Sequence, residues 1–387
     1  MPAAAILLVL AQVAPTPTAP HTATGNATAD LIVEKSLALG IDFAAEPGKT
    51  RATSENLQAL SKAAPRSWLD AQVQIPDDSI TEPPMALHDF LDERREPLWT
   101  IVAALEKGPP EWKVKSWEEE IPRLLPWVHL HKILLATALA EERVGNRIEA
   151  ERALEASWSL GRAFAVQKTL IARMISVSVE RWQAGVLRKF PDPPPSWADR
   201  LSNPEPWKML AEALTAEGRL SVPGIPSPEI DAVFAVQREA MQAVAEALPK
   251  ISPCDRESLS DDALWRRAAV VFQHHTSDEA KAMEPFVRDM IQGNVASMIR
   301  RTARLRVDQE LSSRILELRL ERAASRDRKW PEKTEITSAV CPGVTYRYRI
   351  DGERMEIRFE GSVDTPEAGV VLPLEYATLD SPPAEAR

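Results

Sequence analysis

The sequence predicts a mainly α fold, an irregular antiparallel helical array that ends in a small α+β module made of a long helix and a β-hairpin. Three observations predict this fold. The 387 residues include 14 glycines and 32 prolines, a composition typical of helices punctuated by proline. Apolar residues recur at steps of three and four through most of the chain. Near the C-terminus the period changes to strict alternation around Asp351-Gly352, which indicates a hairpin.

The clearest helical period lies in residues 124–189. An apolar stripe starts at Leu124, and Gly145-Asn146 can adopt the left-handed conformation that ends a helix. Because this connection is short, the next helix should run back antiparallel to the first. A single helix over residues 147–189 would be unusually long, so we expect a break near residues 167–169.

The N-terminal segment, residues 1–14 (MPAAAILLVLAQVA), has the apolar core and small residues of a secretory signal peptide, although no Lys or Arg precedes that core. Residues 15–29 are rich in Pro, Thr and Ala and are predicted to be a disordered tether. We therefore expect an exported protein, periplasmic or extracellular, or a cytoplasmic one if the first segment is not a signal. The sequence has no apolar run long enough to span a bilayer, so the mature chain is predicted to have no transmembrane span.

The predicted helical array covers residues 30–284. Besides the central stretch, helices are expected at residues 30–39, 54–64, 85–107, 207–217 and 229–248. Pro65 should stop the second of these, and Pro97 should kink the third. Further along, the pattern Ser258-x-x-Asp261 is predicted to cap another helix.

The C-terminal module covers residues 285–376. Its long helix is predicted from Pro285 toward Lys329, with Phe286 among the inward residues and residues 311–320 covering the hairpin. Residues 370–374 could add an edge strand, which Pro373 would confine to the edge. Residues 377–387 are predicted to be a loose tail.

The hairpin register follows from the alternating run VTYRYRIDGERMEIRF. Asp351-Gly352 is predicted to form the two-residue turn. The resulting pairs are Val344 with Phe359, Tyr346 with Ile357, Tyr348 with Met355, and Arg347 with Glu356.

These features together carry a resemblance. The helix pairs, the long helix, a Trp-Pro step and the run CPGVTYRYRIDGERMEIRF resemble a group of uncharacterised exported bacterial proteins, over residues 124–189 and 304–360. The C-terminal helix-plus-hairpin of that group is similar to the globular part of type II secretion pseudopilins. In pseudopilins the helix begins at the mature N-terminus, whereas here it is internal. The resemblance therefore implies an exported protein but not assembly into a pilus, and it implies no activity.

The net charge bears on the class of partner, and the two cysteines bear on a possible disulfide. The net charge of −10 argues against nucleic acid as a partner. Cys254 and Cys341 could form one disulfide in an exported protein, contributing roughly 4 kcal/mol in the chain-entropy account. They could equally be two unpaired buried thiols, and the sequence leaves both readings open.

The best metal-like cluster consists of His274, His275 and Glu279. His275 and Glu279 would share a face if a helix ran through them. However, Thr276-x-x-Glu279 is also a capping box, which would leave His275 outside the helix, and we favour that interpretation. No metal or cofactor is therefore predicted.

The long helix is rich in arginine. Ten basic and five acidic residues lie in residues 298–329. Arg300, Arg301 and Arg304 could bind an anionic partner, but a solvated helix flank with intrahelical ion pairs is the favoured interpretation.

Known catalytic motifs are missing from the sequence: it contains no G-x-S-x-G, G-x-G-x-x-G, P-loop or H-E-x-x-H. The leading hypothesis is a non-catalytic exported protein that makes protein–protein contacts in a cell-envelope or secretion setting. One alternative is a hydrolase or metal-dependent enzyme with a site assembled from distant residues. The other is binding of an anionic partner through the Arg-rich helix.

Overall fold

The computed structural model describes residues 27–43, 50–110, 124–165, 169–202, 205–217, 228–275, 277–333, 335–364 and 370–379. Its α-helices are α1 (Ala27–Ala38), α2 (Ser54–Ala63), α3 (Pro65–Gln74), α4 (Met85–Glu93), α5 (Arg95–Leu105), α6 (Leu124–Arg143), α7 (Arg147–Ala165), α8 (Leu170–Leu187), α9 (Ser196–Ser202), α10 (Pro206–Glu217), α11 (Pro228–Ala247), α12 (Asp261–Ala269), α13 (Asp278–Met290) and α14 (Ala296–Ala324). Short 3₁₀ turns cover Leu248–Lys250 and Val270–Gln273, and a π-helical turn, Ile291–Val295, joins α13 to α14. The fold is mainly α with a small C-terminal sheet, which confirms the predicted class.

Helix α6 is the centre of the array. Residues 130–139 are buried on every face of this helix, which packs against α3, α7 and α8. A helix that is buried all round needs apolar residues all round, and the run LHKILLATAL comes close to that requirement. Gly145, with φ +82°, ends the turn after α6, as the sequence predicts, because glycine adopts this conformation without a side-chain clash.

The predicted break after α7 separates two helices. α7 ends at Ala165, and α8 begins at Leu170 with Thr169 as its N-cap. The Thr169 hydroxyl accepts a hydrogen bond from the Ala172 N–H at 3.2 Å, which satisfies one free donor of the first turn. Residues 166–168, which include two residues of the predicted break, lie outside the described residues.

Two N-terminal predictions are corrected. α1 begins at Ala27, so the last three residues of the predicted tether are helical, and Ala29 is buried. The rest of the tether and the predicted signal segment lie outside the described residues. Pro97 marks a complete break instead of a kink: α4 ends at Glu93 and α5 restarts at Arg95, which places the proline in a first turn, where its ring meets no earlier carbonyl.

The predicted caps of the two helices before the π turn are shifted. Ser260, not Ser258, caps α12, and its hydroxyl accepts a hydrogen bond from Ala263. Ser277, not Thr276, caps α13, and its hydroxyl accepts one from Ala280. Both serines have the extended backbone of an N-cap, so the cap geometry favours them over the residues predicted from spacing.

The predicted long helix is divided. Pro285 lies inside α13, the π turn follows, and α14 ends at Ala324, short of Lys329. Phe286 is 45% exposed, not inward. It precedes the buried Val287 by one residue, which rotates its side chain by about 100° away from the core.

The described part of the chain contains an antiparallel four-stranded sheet in the order β1 (Ile336–Thr337), β2 (Thr345–Asp351), β3 (Arg354–Phe359) and β4 (Glu375–Ala377). The predicted register of β2 and β3 is wrong by two residues. The turn residues are Gly352 and Glu353, not Asp351 and Gly352, because Gly352 with φ +59° takes the first turn position. The observed pairs are Tyr346 with Phe359, Arg347 with Arg358, Tyr348 with Ile357, Arg349 with Glu356 and Ile350 with Met355.

A shift of two residues leaves every side chain on its predicted face, so the apolar face of the hairpin survives the correction. Tyr346, Ile357 and Phe359 are buried in one hydrophobic cluster with Leu311 and Ile315 of α14. This confirms that the long helix covers the hairpin.

The outer strands differ from the prediction. The added strand is β4, which follows Pro373 and does not include it, because proline cannot donate to the ladder. Ala377 belongs to β4, and Thr378 accepts a hydrogen bond from the Met355 N–H at 2.8 Å, so the predicted tail begins too early. Residues 380–387 lie outside the described residues. No described helix combines the length and apolarity needed to cross a bilayer.

Candidate functional site

A polar cleft of about 840 Å³ lies where α12, the π turn, the start of α14 and the segment after β3 meet. It is lined by Arg256, Ser260, Asp261, Asp262, Gln292, Ser297, Arg300, Arg301, Val363 and Asp364. Its volume is that of a ligand pocket, but pockets for small organic ligands are mostly apolar and this lining is charged. A polar group of a larger partner therefore suits this cleft better than an apolar small molecule.

The first turn of α12 supplies the carboxylates of one wall. Because Ser260 is the N-cap, Asp261 and Asp262 fall on the first two helical residues, where negative charge complements the helix dipole. Asp261 binds Arg300 in an ion pair across the cleft. Asp262 accepts a hydrogen bond from the Gln292 amide at 3.3 Å.

The π turn positions Gln292 for that contact. A π turn holds more residues than an α turn and often occurs at functional sites, because it re-aims the side chains that it carries. Ile291 and Val295 of this turn are buried, so the turn is anchored in the core while Gln292 reaches the cleft.

The opposite wall is held by a disulfide and an ion pair. Cys254 and Cys341 are joined, which fixes the loop before α12 to the segment before β2. Two residues after Cys254, the Nε of Arg256 lies 2.8 Å from the Oδ1 of Asp364. Both links span the same boundary between the helical array and the sheet.

Helix α14 contributes Ser297, Arg300 and Arg301, which share one side because they lie three and four residues apart. Arg300 is neutralised by Asp261, whereas Arg301 has no carboxylate partner among the described residues. The Nε of Arg301 is buried and makes no hydrogen bond within this part of the chain. Ser297 is partly buried and lines the cleft beside Arg301.

Behind this wall lies a second charged group, the arginine–aspartate cluster, formed by Arg181, Arg188, Arg304 and Asp308. The Asp308 carboxylate accepts hydrogen bonds from Arg181 at 3.0 Å and from Arg304 at 3.1 Å. The backbone carbonyl of Asp308 accepts a third, from Arg188, at 3.0 Å. All four residues are buried. Three cationic side chains therefore share one carboxylate in the core.

Backbone carbonyls of residues 370–373 accept hydrogen bonds from one further guanidinium donor of each arginine in the cluster. Arg181 donates to Val370, Arg304 to Leu372 and Arg188 to Pro373. These bonds attach the segment before β4 to α8 and α14. A carbonyl satisfies a donor but carries no net charge, so the cluster keeps an excess of positive charge.

The pKa values of the buried arginines are lowered mainly by burial. Burial lowers the pKa of Arg188 to about 10, with Asp308 opposing the shift and Arg304 adding to it. Burial also lowers the pKa of Arg181, and Arg304 and Arg301 both contribute to that shift as like charges. Arg301 thus lies close enough to the cluster for its charge to be felt there.

The three arginines predicted to bind an anion do not all lie in the cleft. Arg300 and Arg301 line the cleft, but Arg304 does not. It is 3% exposed and is committed to Asp308 and the Leu372 carbonyl, so the prediction is wrong for this residue. Its side chain lies four residues before Asp308, on the face of α14 that meets α8.

The described members of the predicted histidine cluster, His274 and His275, differ in their surroundings. His275 precedes the cap of α13, and its Nε2 lies 2.9 Å from the Oε2 of Glu239. His274 is exposed, and the side chain of Glu279 lies outside the described residues. Within the part of the chain that the structure describes, no three His, Cys, Asp or Glu residues form a group that could hold a metal ion.

Several residues of this region were not predicted. Arg256, Gln292 and Asp364 come from separate segments, and no local pattern brings them together. Arg181 and Arg188 did leave a signal: they lie seven residues apart and interrupt an apolar helix at the spacing of one face.

Comparison with known proteins yields no relative: no protein-family model, no curated protein and no solved structure matches this chain.

Proposed function

We propose that the protein is a non-catalytic, exported protein that makes protein–protein contacts in a cell-envelope or secretion setting, and that the polar cleft is its contact surface. The observation that carries this proposal is Arg301, which lines the cleft without a carboxylate partner among the described residues, whereas Arg256 and Arg300 of the same lining are ion-paired. A cleft arginine without an ion pair, beside ion-paired neighbours, favours a surface that is completed by a partner.

The charge pairing inside the cleft favours binding over acid–base chemistry. A general acid or base must be free to exchange a proton with a substrate. Here Asp261 is held by Arg300 and Asp364 is held by Arg256. These pairs leave the walls polar but without a free acid at either position, which suits recognition of another polar surface.

The disulfide supports export. Structural disulfides persist in oxidising compartments and are rare in the cytosol of mesophilic cells. Cys254 and Cys341 lie far apart in sequence, so their bridge is a structural tie between distant segments. The resemblance to exported proteins with a pseudopilin-like C-terminal part points the same way and remains a prediction.

A photocrosslinker at the cleft tests the contact surface. We would replace Gln292 with p-benzoylphenylalanine in the full chain and irradiate the cells that produce it. The expected result is one dominant crosslinked protein, identified by mass spectrometry and lost when Arg301→Glu is added. The same photoreactive residue at Arg266, exposed on α12 and outside the cleft lining, is the control. Equal crosslinking at both positions would overturn the proposal, as would turnover of a substrate that is abolished by Arg301→Gln.

Cell fractionation tests the compartment separately. We expect the protein in the exported fractions, with no free thiol after denaturation without reductant. Recovery from the cytoplasm with two free thiols would contradict the export part of the proposal.

A further inference from the structure

The chemical group that the polar cleft recognises can be inferred from the donors and charges that line it, and this inference rests on the proposed function. We propose that Ser297 and Arg301 form a seat for a carboxylate carried by an Asp or Glu side chain of the protein partner. We call these two residues the carboxylate seat.

The donor set of the seat suits a carboxylate. Ser297 and Arg301 lie four residues apart, so their side chains are neighbours on the surface of α14. A guanidinium can bind both oxygens of a carboxylate, and a hydroxyl beside it can donate a further hydrogen bond. The Arg301 guanidinium lines the cleft and has no carboxylate partner among the described residues, so its charge is available to an acceptor in the cleft.

The field behind the seat favours an anion. Arg301 stands between the cleft and the arginine–aspartate cluster, and its backbone carbonyl accepts a hydrogen bond from Arg181 at 3.0 Å. The cluster places three guanidinium groups around one carboxylate, in a buried region where charge is poorly screened. An anionic group at Arg301 would offset this local excess of positive charge.

The three carboxylates of the cleft favour a bound group that carries a single negative charge. Asp261, Asp262 and Asp364 balance the three arginines of the lining, so the cleft as a whole is neutral. A dianion such as phosphate would be repelled by these carboxylates more strongly than a carboxylate with one charge. The three acids also disfavour a polyanionic partner, so one acidic side chain within a mixed polar segment is the ligand that fits.

The cleft has room for the segment around that side chain. Its volume of about 840 Å³ exceeds what one carboxylate needs. Asp262, exposed at the first turn of α12, remains able to accept a backbone or ammonium N–H of the same segment. The seat would thus fix the position of one acidic residue while the rest of the cleft accepts neighbouring backbone.

Selection from a displayed random peptide library tests the seat. The full, oxidised protein is the bait, and binding peptides are resynthesised with Asp→Asn or Glu→Gln. We expect selected peptides to share one acidic position and to bind about tenfold more weakly when it is neutralised, a loss of about 1.4 kcal/mol. Arg301→Gln should cause a similar loss for the acidic peptide and remove the difference between the two peptides. Arg266→Gln is the charge-matched control and should change neither affinity.

A second variant and a competition experiment test the carboxylate seat further. Ser297→Ala should weaken the acidic peptide a few-fold, and it replaces Arg301→Gln if the latter lowers the melting temperature. Acetate should displace the peptide at lower concentration than inorganic phosphate; the reverse order would overturn the carboxylate assignment. The selected peptides can also be tested with the variant that carries the photocrosslinker at position 292. Peptides that crosslink there but do not share an acidic residue would overturn the carboxylate seat and leave the proposed function standing. Failure of the cleft to bind any peptide or protein would overturn both.

Discussion

Two arginines three residues apart on α14 show how differently one helix can use the same side chain. Arg304 is buried, and its donors are spent on Asp308 and the Leu372 carbonyl. Arg301 faces the polar cleft, and its Nε has no partner among the described residues. The arginine–aspartate cluster is therefore expected to determine stability, and the polar cleft to determine binding. Substitutions that change stability without changing binding, or the reverse, test this comparison.

The largest expected effect is that of Asp308→Asn. This change keeps the shape of the side chain but removes the only carboxylate in the cluster, which leaves three buried guanidinium groups without a counter-charge. We expect a loss of about 3–5 kcal/mol in the free energy of unfolding, measured by urea denaturation. The matched change Asp262→Asn in the exposed cleft should stay within about 0.5 kcal/mol. Equal effects of the two changes would contradict the comparison.

Removal of the disulfide is expected to come next. The double variant Cys254→Ser with Cys341→Ser frees the loop beside the cleft but leaves the cluster intact. The unfolding free energy should fall by about 2–4 kcal/mol, since the bridge closes a long loop. Reductant should destabilise the native protein by a similar amount and leave the double variant unchanged. A double variant as stable as the native protein would show that the bridge adds nothing.

A buried neutral histidine in the helical array makes the stability of the protein depend on pH. His131 is fully buried in α6, its Nδ1 lies 3.1 Å from the Ser157 hydroxyl, and burial lowers its pKa to about 3. Between about pH 6.5 and 3 the unfolded chain binds a proton that the folded protein does not, so stability falls as the pH falls through this window. The loss should reach roughly 3 kcal/mol at pH 4.

The His131 contribution is isolated by difference. His131→Gln should show a shallower dependence of the unfolding free energy on pH between 6.5 and 3, while the carboxylates shared with the native protein titrate equally in both. Identical pH profiles for the two proteins would exclude His131 as the source.

The smallest expected effect is that of Arg301→Gln on stability. The change removes a buried donor that lacks a partner among the described residues, so the unfolding free energy should move by no more than about 0.5 kcal/mol. Arg304→Gln, the matched change in the cluster, should cost at least about 2 kcal/mol because it removes a donor from Asp308. If both changes prove equally costly, the division between the two regions fails.

The sequence predicted those features that depend on neighbouring residues. Gly145 ends its turn, and alternation in β2 and β3 places Tyr346 and Phe359 against α14, because both follow from local geometry. The hairpin register was missed by two residues, because the Asp351-Gly352 pattern does not decide which of its residues enters the turn first. Gly352 took the first position, and Asp351 stayed in β2.

The candidate site was less accessible to such reasoning. The three residues Arg256, Gln292 and Asp364 meet only in the folded chain, so their spacing carries no information about the cleft. Arg304 was misassigned because charge alone was taken to indicate exposure. Its spacing argued otherwise: Arg304, Asp308 and the inward Leu311 follow one another at steps of four and three, the period of a single buried face.

The bonds from α8 to residues 370–373 have a consequence for the order of folding. Arg181 and Arg188 are synthesised nearly two hundred residues before the carbonyls that they require, with sequence separations of 189 and 185. On the ribosome, a nascent chain that ends before these carbonyls would have to bury both guanidinium groups with one donor of each left without its acceptor, which is costly. The helical array should therefore stay loosely closed during most of translation, and final locking should wait for the last strand to emerge.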